Sequence, residues 1–189
     1  FALFGGSSSI FSGMTKIFII AGEASGDQLG AALMKSLREK IPNVEFRGIG
    51  GDLMLKNGLE ASLFPMNDLT LMGLVEVVPK IPKLLNRIIQ TVTAIKVFNP
   101  DVVLTIDSPD FCFRVQKEVR VANVRAKQIH FVAPTVWAWR PERAKKITSF
   151  LDGLICLFPF EPNYFEKEGL QTVAVGHPIL KAGALEANG

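Results

Sequence analysis

Cysteine is scarce: Cys112 and Cys156 are the only two in 189 residues. That is too few for a disulfide framework, and the two lack the paired spacing of a zinc site, so a reducing, cytoplasmic setting without a metal is expected. Long apolar runs are also missing. The longest are strand-sized and broken by charge, short of the roughly 20 residues that cross a bilayer. The sequence contains no HExxH, no GxSxG, no Walker lysine motif, no DxD pair for a metal-bound nucleotide sugar and no Cys–His nucleophile arrangement. Phe46–Gly51 reads FRGIGG, a glycine turn without the GxGxxG spacing of a dinucleotide fingerprint, so no nicotinamide or other cofactor is expected. A net charge of +3, from 21 basic and 18 acidic residues, is too small to argue for nucleic acid without clustered basic faces.

What is present is a large apolar share, 48% of residues, enough for a substantial core. The segment KIFIIAGEASGD, Lys16 to Asp27, is a strand that runs into a polar, glycine-bearing turn. Leu29, Leu33 and Leu37 then repeat every four positions, and Ser25 with Gln28 has capping-box spacing, so a helix is expected to start there. Further strands are expected at Val44–Ile49, Asp101–Ile106, Gln128–Val132, Gly153–Phe158 and Thr172–Val175. Most are separated by helical segments, which implies an α/β fold with a doubly wound parallel sheet, Rossmann-like, covered on both faces. Residues 1–13 precede Met14 and read as a non-native or disordered extension, 14–178 as the lobe itself, and 179–189 as a truncated tail or linker.

Acidic residues are absent from Val77 to Pro100, where Lys80, Lys83, Arg87 and Lys96 carry the only charges. Ile81, Leu84, Leu85, Ile88, Val92 and Ile95 form a stripe at helical spacing. Two readings stay open. The stripe is the core face of a crossover helix, or, with Leu71, Met72, Leu74 and Val75 outside it, part of a basic amphipathic face suited to an anionic lipid surface.

Among residues able to do chemistry, Asp107 stands out. Ser108-Pro109-Asp110 has the order of N-cap, proline at the first helical position and dipole-favoured acid, which explains Asp110 structurally. Asp107 precedes that cap at a strand's carboxyl end, where such sheets hold catalytic groups, and it could take a proton from a substrate hydroxyl. In the opening loop Asp27 is partly explained by dipole complementarity, whereas Glu23 is not. Backbone N–H groups from Ser25 to Gln28 could hold a phosphate or a sugar oxygen, with a nearby acid favouring a hydroxyl-rich ligand. His130, inside a strand, reads as a satisfied, partly buried residue. His177, after Gly176, sits in an exposed and conformationally special loop. PTVWAWRPERAKK places Trp137 and Trp139 before Arg140, Arg143, Lys145 and Lys146, which suggests a lid or a phosphate contact.

Seven motifs together, GEASGD, FRGIGGDLM, LMGLVEVVPKIPKLL, IDSPDF, PTVWAWR, LFPFE and VGHP, resemble in order those of the lipid-A-disaccharide synthase family, over about Thr15 to Pro178. The resemblance implies the amino-terminal, acceptor-binding lobe of an inverting glycosyltransferase of the two-lobed B architecture. The implied reaction joins UDP-2,3-diacylglucosamine to 2,3-diacylglucosamine 1-phosphate, giving lipid A disaccharide 1-phosphate and UDP at the cytoplasmic surface of the inner membrane. It implies Asp107 as general base toward the acceptor's 6-hydroxyl. Glu23, Ser25, Gly26, Asp27, Met72, Gly73, Trp139, Arg140 and His177 are implied at the substrate, and Leu69, Leu71, Leu74, Val75, Val78, Lys80 and Lys83 toward the membrane. Donor-binding motifs of the second lobe have no counterpart after Pro178, so the chain alone is expected to be inactive, with a second lobe or a homodimer left open. A truncated lipid-surface module and a sugar-nucleotide epimerase-like protein, whose two-lobed relatives share the architecture, are the competing readings.

Overall fold

The computed structural model describes residues 13–70, 77–134 and 142–176. Seven strands form one sheet: β1 (Thr15–Ala21), β2 (Val44–Ile49), β3 (Leu59–Ser62), β4 (Val102–Ile106), β5 (Lys127–Phe131), β6 (Gly153–Cys156) and β7 (Gln171–Ala174). The helices between them are α1 (Ala24–Lys40), α2 (Asp52–Lys56), α3 (Asn67–Thr70), α4 (Val77–Phe98), α5 (Pro109–Val121), α6 (Glu142–Thr148) and α7 (Pro162–Glu166). The spatial order is β3-β2-β1-β4-β5-β6-β7, with every pairing parallel. This is the doubly wound α/β sheet expected from the alternation of strands and helices.

Side-chain alternation in β1 shows why both faces are covered. Ile17, Ile19 and Ala21 pack with Ala31, Met34 and Leu37 of α1 on one face. Phe18 and Ile20 pack on the other with Ile88 and Ile95 of α4 and Phe111, Val115 and Val119 of α5. Each fully buried side chain of this size contributes about 1.5–3 kcal/mol relative to exposure, so the central strands anchor the fold. A third cluster joins Leu154 and Cys156 of β6 to Ala144, Ile147 and Phe165 of α6 and α7.

Several expectations need correction. β3 was not anticipated: its four residues, LEAS, carry one buried side chain at the sheet's edge and give no periodic signal. α1 begins at Ala24 with Glu23 as N-cap and no side-chain capping bond, so Ser25 lies inside the first turn and forms no capping box with Gln28. β7 alternates between exposed and half-buried positions, as an edge strand paired only with β6, and is not a doubly covered run. Leu69 is 6% exposed in the cluster with Phe64, Ile88 and Phe111, so it faces the core and not a membrane.

α4 divides the two readings of its stripe. Ile88, Ile95 and Phe98 are buried and Leu84 and Val92 pack against them, which is the core-face reading. Leu85 and Ile89 nevertheless stay exposed, at 49% and 65%. Two of the basic residues are already paired: Lys83 Nζ donates to Asp68 Oδ1 at 2.8 Å, and Arg87 donates to Asp68 Oδ2 through Nε at 3.0 Å while lying 4.5 Å from the Phe64 ring centroid. The Lys83 ammonium, with Arg87 beside it, holds the Asp68 carboxyl below its ordinary value. Among the described residues no helix is long and apolar enough to cross a membrane.

Candidate functional site

β1 lies between β2 and β4, and the chain leaves β1 toward one side and returns at β4 on the other. Such a switch point opens a crevice at the carboxyl ends of the two strands. The β1–α1 loop and the β4–α5 loop meet there. Ile106, the last residue of β4, is in register with Ala21, the last of β1. Glu23 and Ser25 are exposed two and four residues beyond β1, and Asp107 and Ser108 are half-buried one and two residues beyond β4.

Asp107 is held from several sides. Its own N–H donates to Phe131 O of β5 at 3.0 Å. Oδ1 accepts from Ser108 N–H at 2.9 Å, and Oδ2 accepts from the Ser25 hydroxyl at 3.3 Å. Asp107 and Ser108 both adopt positive φ, 54° and 44°, and Val132 at the end of β5 has φ 79°. Non-glycine residues in this region cost about 1–3 kcal/mol each and tend to gather at functional sites, so three on two adjacent strand ends single out this edge. Ser108 does occupy the N-cap of α5 with Pro109 following, as its sequence order suggests, but its side chain makes no capping bond.

Close packing fixes the two loops to each other. A Cβ on Gly22 would lie 2.7 Å from Ser108 Cβ, so only glycine lets the loops approach this closely. Asp27 is buried, at 5% exposure, and its carboxylate accepts three backbone N–H groups: Gly51 at 2.8 Å and Met54 at 3.1 Å on Oδ1, and Leu53 at 3.0 Å on Oδ2. It therefore satisfies the N-terminus of α2 from across the molecule. A side chain at Gly51 would collide with it, its Cβ falling 2.6 Å from Asp27 Oδ2. The expected dipole role within α1 is thus secondary to this clamp. Gly26, also buried, packs the first turn of α1 against the end of β4.

His130 is fully buried, its Nδ1 2.7 Å from Thr105 Oγ1 and its ring edge-on to Phe113, with no partner for Nε2 among the described residues. Burial lowers its pKa to about 3, so it stays neutral and is deeper than the partly buried residue expected. Desolvation likewise raises the Cys156 thiol to about 12 and moves the Cys112 thiol upward, with the Asp107 charge adding to the latter. Neither is a ready nucleophile. Glu161 in LFPFE is a structural acid: buried, it accepts Leu157 and Phe158 N–H at 2.9 Å each. No cluster of three or more metal-ligating side chains occurs among the described residues.

The structure thus brings Asp107, Ser25 and Gly26 together at one edge with Glu23 on the same loop, and turns Asp27 inward. Gly22 and Ser108, whose contact joins the loops, were not anticipated, since nothing local marks a contact 86 residues apart. Leu71, Met72, Gly73, Leu74, Val75, Trp139, Arg140 and His177 lie outside the described residues, as do the side chains of Val78 and Lys80.

A family profile for lipid-A-disaccharide synthetase matches residues 17–188. The chain is 55% identical over 174 residues to the lipid-A-disaccharide synthase of Rhodospirillum centenum, covering 92% of this chain and 43% of that protein. It is 49% identical over 174 residues to the one from Paramagnetospirillum magneticum, covering 92% and 44%. It therefore spans less than half the length of these curated relatives. Among solved structures, UDP-N-acetylglucosamine 2-epimerase from Rickettsia bellii superposes with a TM-score of 0.60 at 16% identity, over 89% of this chain and 46% of that one, a likeness of fold alone. A match that begins in β1 and runs beyond β7, with relatives about half identical across nine-tenths of the sequence, makes this chain a member of the lipid-A-disaccharide synthase family.

Proposed function

We propose that residues 14–178 form the acceptor-binding lobe of a glycosyltransferase of the B architecture, acting in lipid A synthesis. Asp107 at the switch point between β1 and β4 is the observation that carries this reading. Its carboxylate takes the proton of the 6-hydroxyl of 2,3-diacylglucosamine 1-phosphate as that oxygen attacks the anomeric carbon of UDP-2,3-diacylglucosamine. The bond to UDP breaks on the opposite face, the configuration inverts, and the disaccharide 1-phosphate is formed. Glu23 and the first turn of α1 supply polar groups for sugar hydroxyls, and the N-termini of α1 and α5 stabilise the anionic base. Donor binding is expected of the part of the relatives that this chain does not span, whether it is supplied in the same polypeptide or by a separate chain. Met72, Gly73, Trp139, Arg140 and His177 are proposed at the cleft rim.

The proposed setting is peripheral, on the cytoplasmic face of an inner membrane. The apolar run Leu71–Val75 in the sequence, and the exposed Leu85 and Ile89 on α4, support it. The function is tested by Asp107→Ala in the chain extended through the carboxyl-terminal part that its relatives carry. Transfer to the acceptor is expected to disappear, and retained turnover would remove Asp107 as the base.

A further inference from the structure

We propose that Ser25 is a positioning residue for Asp107, acting through the carboxylate and not on the sugar. The inference rests on the reading of Asp107 as the base. Among the described residues each oxygen of Asp107 has one donor, and the two donors come from different loops: Ser108 N–H on Oδ1 and the Ser25 hydroxyl on Oδ2. Ser108 belongs to the same strained turn as Asp107, so its bond holds the carboxylate only relative to its own loop. Ser25 is an independent anchor. It stands on α1, whose first turn is tied to α2 by the three bonds of Asp27 and pressed onto the end of β4 at Gly26.

Two simpler roles for Ser25 fail on geometry. It does not cap α1, because Glu23 holds that position and no side-chain bond is made there. It is not a core residue, because it is exposed. Its 3.3 Å bond reaches a residue 82 positions away, across the crevice where the acceptor would lie. Hydrogen bonds at catalytic groups are often long without substrate and shorten when the site fills. The hydroxyl therefore fixes which carboxylate oxygen faces the incoming 6-hydroxyl, and its effect belongs to the rate of proton transfer.

The test is steady-state kinetics on the extended chain, comparing wild type with Ser25→Ala, Ser25→Thr, Asp107→Asn and the double variant Ser25→Ala/Asp107→Asn. Ser25→Ala is expected to lower kcat about 10- to 100-fold, the size of one hydrogen bond to a charged group, with the acceptor KM nearly unchanged. Ser25→Thr, which keeps the hydroxyl, restores kcat. Ser25→Ala in the Asp107→Asn background causes no further loss, because groups acting as a unit are not additive. Wild-type kcat with a raised KM in Ser25→Ala would place the hydroxyl on the substrate and overturn the proposal. So would an additive loss in the double variant. A strongly lowered kcat in Asp107→Asn beside an unaffected Ser25→Ala overturns the positioning role alone, whereas a wild-type kcat in Asp107→Asn overturns the base assignment and the proposal together.

Discussion

Replacing Asp27 with alanine would remove the clamp between α1 and α2. The carboxylate is buried and accepts N–H groups from Gly51, Leu53 and Met54 at 2.8, 3.0 and 3.1 Å. Hydrogen bonds to a charged acceptor contribute about 1.5–3 kcal/mol each. The Met54 bond is buried, while water can reach the half-exposed sites of the other two, so about 2 kcal/mol for the first and 1 for each of the others gives a loss of about 4 kcal/mol. For a chain of this length that corresponds to a fall in Tm of about 8–16 °C. Asp27→Asn separates the contributions. Its carbonyl oxygen can keep Gly51 and Met54, which share Oδ1, as neutral bonds of about half the strength, but its amide group opposes Leu53 N–H, so somewhat more than half the loss is expected. Thermal and urea unfolding of this chain, followed by circular dichroism, measures both. A loss below about 1 kcal/mol for Asp27→Ala would refute the clamp and return Asp27 to the candidates for direct ligand contact.

Gly22→Ala forces a Cβ against Ser108 and is expected to cost about 1–3 kcal/mol and to lower transfer in the extended chain more than Ser25→Ala does, read by Tm and by rate. His130 gives a pH signature. Its folded pKa of about 3 lies below the unfolded value of 6.5, so the unfolded chain binds the extra proton between them and stability falls as pH drops from 6.5 toward 3. Urea unfolding at a series of pH values should show His130→Gln losing about 1.4 kcal/mol less per pH unit than wild type in that window. Cys112 and Cys156, both buried with raised pKa, should resist iodoacetamide at pH 8 in the folded chain and react fully in denaturant, as read by mass. Binding to anionic vesicles should weaken with added salt and with Leu74→Glu or Val75→Glu, and indifference to both would remove the membrane-surface proposal.

Six of the seven strands, and the place of Asp107 at the end of β4, were legible because their causes are local. Val102–Ile106 is buried throughout and apolar but for Thr105 because both faces of β4 are covered, and Asp107 marks the point where that run stops. Asp27 misled because its partners lie 24 to 27 residues away, and a first-turn acid already has a sufficient local explanation in the helix dipole. The resemblance set Leu69 toward the membrane, while its burial depends on Phe64, Ile88 and Phe111, which only the tertiary fold assembles. Lys83 and Arg87 read as a basic face until Asp68, 15 and 19 residues earlier, was placed beside them. The Ser25–Asp107 bond and the positive φ values of Asp107 and Ser108 have no sequence signature, because they arise where two crossovers diverge at the switch point.

Single-turnover transfer by the extended chain carrying Asp107→Asn, with both substrates bound at saturation, tests the central claim most directly. Loss of a general base lowers the chemical step by about 10²–10⁴-fold, and acceptor affinity should remain that of the wild type. A single-turnover rate equal to wild type would contradict the assignment of proton transfer to Asp107.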